Sequence, residues 1–557
     1  MKTSRFGVLV LLALALALAP GLTSCSSPSL SRETLQPRIA FLVSTPGETV
    51  RGEPLLQRDA VAAFYEARKA QPAWKLPAGA ESVREAIADI AHDGLDPADY
   101  HLAQIDSLIA ARKEGRSDEI DVDLEILLTD AVAAMIDHAR YGRVRPASLD
   151  KRWNVDSREG APPLQDALAR VAQASSPAEG LAAEKLDHFI YKGLKDELAR
   201  LEAAAQAGGW APIPGKGNLA PGGRDGRVPL VRARLLATGE LAKDAAAADS
   251  ATYDEALVAA VKLFQERHRL EADGVLDAET VAAMNVSATD RVNQVRVNLE
   301  RSRWVLPGLT GDFLLVNLPA FKAYLIRGNQ NVWETRTQIG KEARQTPSFR
   351  ADMKHAIFNP TWTVPPTILK EDVLGGIARG ENMLAKKNLK VYDRQGNQVD
   401  PSSVDWSSAT SGGSFPYTLR QDAGADNALG RVKFMFPNPY DIYLHDTPSK
   451  DLFAAEKRTF SSGCIRIEDP LGLAQLLLGD KGYDQAKIEQ VIATEKTTQV
   501  ELTTPLPVLI VYWTTSVGAT GEVRWAPDVY GRDPAVIAAM ATAPRVAVAT
   551  PTAADKP

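Results

Sequence analysis

The hydrophobic period of this chain switches near residue 307, and the switch splits what the chain can fold into. Before it, apolar residues recur at helical spacing. After it, short runs alternate with a period of two between turn residues. Leu127, Leu128, Ala131, Met135 and Ile136 share one face of a helix expected over 124–140. Ser82 and Glu85 read as a capping box opening a helix over 82–91, and Asp96-Pro97 opens the next. Further helices are expected at 60–69, 164–172, 178–191 and 193–206. Beyond residue 307, strands are expected at 313–318, 321–326, 331–339, 353–358, 432–436, 441–445, 498–502 and 508–513. The fold class is therefore multidomain α+β, an N-terminal α-helical scaffold followed by a mainly β domain.

The 557 residues suffice for several domains, and 45% hydrophobic content supports packed cores. A Gly/Pro-rich break over 208–226 ends a helical domain expected at 59–226. A small domain follows at 227–288, then a linking helix at 289–306 and the β domain at 307–515. Within it the alternation lapses over 367–427. Sixty residues are too many for a plain connection between strands, so an inserted capping subdomain is expected there. It is either a mobile lid or a rigid elaboration. Residues 516–557 read as an extension with an Ala/Pro/Thr-rich tail from 537.

The N-terminus carries Lys2 and Arg5, then an apolar run from Phe6 to Ala19, short for a membrane span and suited to a signal peptide. Leu22-Thr23-Ser24-Cys25 resembles the bacterial lipobox, so residues 1–25 are expected to be a lipoprotein signal, with Cys25 lipidated and 26–58 a tether. A plain secretory signal or an uncleaved anchor remains open. Lipidation implies a membrane-anchored periplasmic protein, at the outer membrane if the source is Gram-negative, because Ser26 follows the cysteine.

Net charge is −6, from 64 basic and 70 acidic residues, with no basic stripe; this argues against nucleic acid as a partner. Two cysteines and seven scattered histidines give no zinc spacing, so no metal and no cofactor is expected. With Cys25 lipidated, Cys464 has no disulfide partner.

Cys464 follows Ser461-Ser462-Gly463, and His445 lies nineteen positions upstream in Tyr443-Leu444-His445-Asp446-Thr447-Pro448. A thiolate is the attacking form of cysteine, and histidine is suited to generate it. Gly463 permits a tight turn, so the amides of Gly463 and Cys464 could face a developing oxyanion. The competing reading is a small buried cysteine and a structural histidine. The group that orients the imidazole is left open between a backbone carbonyl and the hydroxyl of Ser461 or Ser462. The Asp446 side chain is a weak candidate, because neighbouring strand side chains point apart.

These segments resemble the L,D-transpeptidase signature, and most closely its YcbB-type branch. Ser462 stands where many members carry a second histidine. Val316–Phe321, Thr346-Pro347 and Phe358–Pro366 resemble the opening of the same catalytic fold. The pattern Phe264-Gln265, Asp273-Gly274, Thr280 resembles a three-helix peptidoglycan-binding module; Asp277 or Thr280 could cap its last helix. The resemblance implies that Cys464 is the nucleophile, His445 the general base and acid, and Gly463 part of the oxyanion site. Tyr443, Arg466, Ser461, Ser462 and Trp362 would line the substrate site. Trp362 could equally be a packing residue, and Arg466 a structural ion pair. The implied reaction joins peptidoglycan stem peptides, donor and acceptor, by 3→3 cross-links through a Cys464 thioester, with other cell-wall synthesis proteins as further partners. The alternatives are a non-catalytic wall-binding lipoprotein and a thiol hydrolase of wall peptides.

Overall fold

The computed structural model describes residues 30–542, apart from 156, 159, 216, 246–250, 412, 413 and 519. The expected signal segment, Cys25 and the last fifteen residues lie outside the described residues. No helix among the described residues is long and apolar enough to cross a membrane.

The expected tether is a correction. From residue 30 the chain forms α1 (Arg32–Ser44) and a short hairpin, Thr49–Val50 with Glu53–Pro54. Ser31 caps α1 by accepting from the Thr34 N–H. Leu35, Ile39 and Leu42, spaced as one helical face, are buried in the helical core. Polar and Pro-rich composition concealed that stripe. The expected capping box is also displaced: the helix begins at Ala78 behind Pro77, which leaves Ser82 and Glu85 inside it.

The centre of the helical domain is α2 (Asp118–Tyr141). Ser117 caps it, and Asp118, Glu119 and Asp121 sit at its positive end. Its middle is buried on every side because neighbouring helices surround it. The acids it buries are satisfied. Asp130 accepts from the Leu56 and Gln57 N–H groups at 2.8 Å each and pairs with His101 at 2.8 Å. Glu125 accepts from the Tyr65 hydroxyl at 2.9 Å. His138 is buried against Tyr100. These histidines are structural.

The three-helix module comprises α4 (Val228–Thr238), α5 (Glu255–Arg267) and α6 (Ala278–Met284), counting α3 as Phe189–Gln206 before it. Phe264 closes its core. Gln265 explains its place in the pattern: its amide donates to Asp273 Oδ1 and to the Val275 carbonyl, and its oxygen accepts from the Gly274 N–H at 2.8 Å. Gly274 takes φ +77°, which favours glycine. Asp277, not Thr280, is the cap.

Helix α7 (Ala288–Val305) is more than a link. It packs along α3 on one side and meets the β domain on the other. Glu300 and Arg303 are fully buried and paired at 3.1 Å; Arg303 also donates to the Tyr191 hydroxyl, and Glu300 accepts from the Val144 N–H. Asn298 exchanges two hydrogen bonds with Thr514, at 2.8 and 3.0 Å.

The β domain is one nine-stranded sheet: β1 (Phe313–Asn317), β2 (Lys322–Arg327), β3 (Gln330–Gly340), β4 (Phe349–Phe358), β5 (Val432–Met435), β6 (Leu444–His445), β7 (Thr459–Ser461), β8 (Ile465–Ile467) and β9 (Thr498–Val511). Its order is β7-β3-β8-β6-β5-β4-β9-β1-β2, and β2 also pairs with β3, so the sheet curls back on itself. The two strands expected over 498–513 are the single β9, interrupted by a bulge.

The insertion has its own core and a four-stranded antiparallel sheet, a correction to the lapsed β pattern. It opens at Trp362–Thr363 and pairs through Thr418–Gln421. After β9, the hairpin Thr515–Val517/Val523–Trp525 and the helix Asp533–Ala541 pack back on α7. Asp533 pairs with Arg301 at 2.5 Å and the helix it opens runs to Ala541, so residues 537–541 are helical, a correction to the expected tail.

Asn298→Ala removes both bonds to Thr514 and leaves its buried N–H without a partner. A loss of about 1–3 kcal/mol is expected, read as a lowered unfolding midpoint. An unchanged midpoint would contradict the role given to α7.

Candidate active site

Four residues form a row across four strands. Lys433 on β5 lies opposite His445 on β6, His445 opposite Arg466 on β8, and Arg466 opposite Gln338 on β3. Their neighbours Phe434, Leu444, Ile465 and Ile467 are fully buried in the core of the sheet. Alternation therefore places the four polar side chains on the other face. Tyr443 and Cys464 sit next to each other one pleat back on that same face, with the Ile465 N–H donating to the Tyr443 carbonyl.

The turn that presents Cys464 is closed by side chains. Ser461 Oγ donates to the Cys464 carbonyl at 2.5 Å and accepts from the Gly463 N–H at 3.1 Å. Thr346 Oγ1 donates to the Gly463 carbonyl at 2.7 Å and accepts from the Gly340 N–H at 2.9 Å. Gly463 has φ +124°, in the region that favours glycine. Its N–H is thus engaged inside the turn and does not face an oxyanion, which corrects the expectation for Gly463. The Cys464 N–H has no acceptor among the described residues and is the backbone donor left at the thiol.

The half-buried Cys464 thiol donates to the Asp441 carbonyl at 3.6 Å. Desolvation pushes its pKa up to about 11, opposed by donation from the Tyr443 backbone and hydroxyl and by the Arg466 charge. His445 Nδ1 bonds the Asp446 carbonyl at 2.5 Å, which fixes the tautomer with a free Nε2. Of the open alternatives for the orienting group, this is the backbone carbonyl. The Asp446 carboxylate points away, to the Arg431 N–H and Lys450. Burial first, then the charges of Arg466 and Lys433, lower the His445 pKa to about 3. The resting pair is a thiol and a neutral imidazole. They share a face, and no hydrogen bond joins them in this arrangement.

Arg466 is held by Gln338 Oε1 at 3.1 Å and its Nε has no partner. Neither Arg466 nor Lys433 has a carboxylate within ion-pair distance among the described residues, so the structural ion pair considered for Arg466 is not formed. Two uncompensated cations therefore flank the thiol. Tyr443 lies between the sheet core and the insertion core. Trp362, expected to line the site, is instead buried in the insertion core with Val364, Leu419 and Leu429. Ser462 is exposed and accepts from Arg344, which also grips Glu371 and Asp372 of the insertion.

Sequence reasoning missed Lys433, Arg344 and Gln338. The register that brings them in is set by pairing across long separations, and no local pattern encodes it. No group of three or more metal-ligating side chains occurs among the described residues.

Residues 311–508 match the L,D-transpeptidase catalytic domain, residues 59–198 a "Scaffold domain", and residues 224–284 a "Putative peptidoglycan binding domain". A "Putative L,D-transpeptidase" of Haemophilus influenzae is 36% identical over 240 residues, which are 43% of this chain and 48% of that protein. The chain thus spans about half the length of this curated relative. Crystal structures of an L,D-transpeptidase from Xylanimonas cellulosilytica (14% identity, TM-score 0.18, 54% of this chain and 99% of that one) and from Stackebrandtia nassauensis (11%, TM-score 0.20, 54% and 97%) also match.

A thiol with a pKa of about 11 is almost wholly protonated at neutral pH. Alkylation of Cys464 by iodoacetamide, followed by peptide mapping, is expected to accelerate about tenfold per pH unit from 7 to 9. A plateau below pH 9 would show a thiolate already formed.

Proposed function

We propose that this chain, whose residues 311–508 form an L,D-transpeptidase catalytic domain, joins peptidoglycan stem peptides through a thioester on Cys464. The observation that carries the reading is the shared sheet face of Cys464 and His445, flanked by the uncompensated cations Lys433 and Arg466.

In this reaction the thiol turns from the Asp441 carbonyl to His445 Nε2. The neutral imidazole takes the proton as sulfur attacks the peptide carbonyl carbon of the donor stem, at the diaminopimelate in its third position. The Cys464 N–H and the Tyr443 hydroxyl meet the oxyanion, and Lys433 and Arg466 favour every negatively charged species on this face. The same two charges make the imidazolium a strong acid. It returns its proton to the leaving D-alanine nitrogen as the C–N bond breaks, leaving the thioester. The amine of a second stem then attacks the thioester carbonyl and loses a proton to His445. Sulfur leaves, is reprotonated, and the new amide is the 3→3 cross-link.

The matched wall-binding module supports peptidoglycan as the partner. The sequence around Cys25 supports anchoring by lipid in the periplasm, facing the wall from the outer membrane.

Mass analysis of digested peptidoglycan after incubation with the full chain tests this. Diaminopimelate–diaminopimelate dimers are expected with the wild type and none with Cys464→Ala. His445→Ala is expected to slow their formation by about 10²–10⁴-fold. Shortened stems without dimers would indicate the hydrolase. No product from the wild type would leave a wall-binding protein with an inert catalytic fold.

A further inference from the structure

Apart from the residues around the thiol, α3, α4, α5, α7 and the hairpin Thr515–Val517/Val523–Trp525 line a partly open cavity of about 250 Å³. Four guanidinium groups line it, those of Arg200, Arg234, Arg267 and Arg291, against two carboxylates, Glu197 and Glu240. The carboxylates are taken: Glu197 pairs with Arg200 at 2.5 Å and Glu240 with Arg267 at 3.0 Å. Arg234 and Arg291 therefore carry two positive charges with no carboxylate in ion-pair distance among the described residues.

Both are buried, at 2% and 6% exposure. Each is fixed in position rather than free to swing into solvent. Arg234 donates to the Met284 carbonyl at 2.9 Å and to Thr238 Oγ1 at 2.6 Å, with its guanidinium 3.8 Å from the Trp210 ring centre. Arg291 donates to the Ala283 carbonyl and Gln294 Oε1, and lies 4.6 Å over Trp525. The Nε atoms of Arg291 and Arg267 find no acceptor on the protein.

Desolvation lowers Arg234 to about 10 and Arg291 to about 9, and in Arg291 repulsion by Arg234 adds to the fall. Both remain charged at neutral pH. Burying two like charges together with no counter-charge is costly. A cluster held this rigidly, and lining a cavity, is what a bidentate oxyanion requires.

We infer that this cavity is a binding site for a small oxyanion, a carboxylate or phosphate group bridging Arg234 and Arg291. Bound there, it would tie the three-helix module to α3, α7 and the hairpin that continues from β9, setting how the module is held against the catalytic sheet. The ligand chemistry has two sources, a carboxylate of a wall stem peptide and free phosphate. The site does not depend on the reaction proposed for Cys464.

The test is thermal unfolding of the full chain in chloride, in sodium phosphate and with a disaccharide-tripeptide, all at one ionic strength. One or both oxyanions are expected to raise the unfolding temperature saturably, by about 2–4 °C. A rise with the disaccharide-tripeptide identifies the wall as the source; a rise with phosphate alone identifies the free anion. Arg291→Met is expected to abolish the rise while still unfolding cooperatively in chloride. Arg234→Lys, which keeps the charge and loses the fork, is expected to weaken binding about tenfold by titration calorimetry. No rise in the wild type with either ligand, a full rise in Arg291→Met, or unchanged affinity in Arg234→Lys would overturn the inference.

Discussion

The register between β6 and β8 decides whether this molecule has a reactive site. Leu444 pairs with Ile465 and His445 with Arg466. Side chains alternate, so a slip of one residue would turn His445 into the core and bring Leu444 to the polar face. The register is held from both directions. Phe434, Leu444, Ile465 and Ile467 are fully buried on the inner face. On the outer face the Ser461 and Thr346 hydroxyls lock the turn before Cys464. Tyr530, from the C-terminal extension, donates to the Gly340 carbonyl beside that turn, so residues past the sheet also support it.

The electrostatics of the site follow from the same pairing. Lys433 and Arg466 bracket His445 across neighbouring strands and are left without acidic partners. They lower the basicity of the imidazole while favouring negative charge on sulfur or oxygen. Burial opposes both ionised forms. The resting thiol and imidazole are therefore neutral, and in the proposed reaction charge develops on them only as a substrate carbonyl arrives. Arg344 links this turn to the insertion through Ser462, Glu371 and Asp372, so the insertion and the turn that carries Cys464 meet at one guanidinium.

Much of the fold was legible because periodicity is local. The central helix, the three-helix module with its Asp273-Gly274 turn, and most strands of the sheet follow from spacing and turn chemistry. Cys464 and His445 stood out because a polar Ser-Ser-Gly turn is an unusual setting for a lone cysteine. The failures have physical causes. The helix over Arg32–Ser44 carries Pro37 and a polar composition, and only its burial reveals the stripe. Gly463 has the expected conformation, yet its N–H is captured by Ser461, a contact two residues away that spacing cannot predict. Trp362 stands beside a proline turn in sequence, but strand pairing with Gln421 draws it into the core of the insertion. Lys433 joins the site only through the pairing of β5 with β6.

If Cys464 takes over an acyl group from wall peptide, as proposed, the intact mass of the chain records the transfer. After brief exposure to a disaccharide-tetrapeptide and an acid quench, an added mass equal to the donor less D-alanine is expected, carried on the peptide containing Cys464 and released by hydroxylamine. An unchanged mass under conditions where the folded protein binds that donor would contradict it.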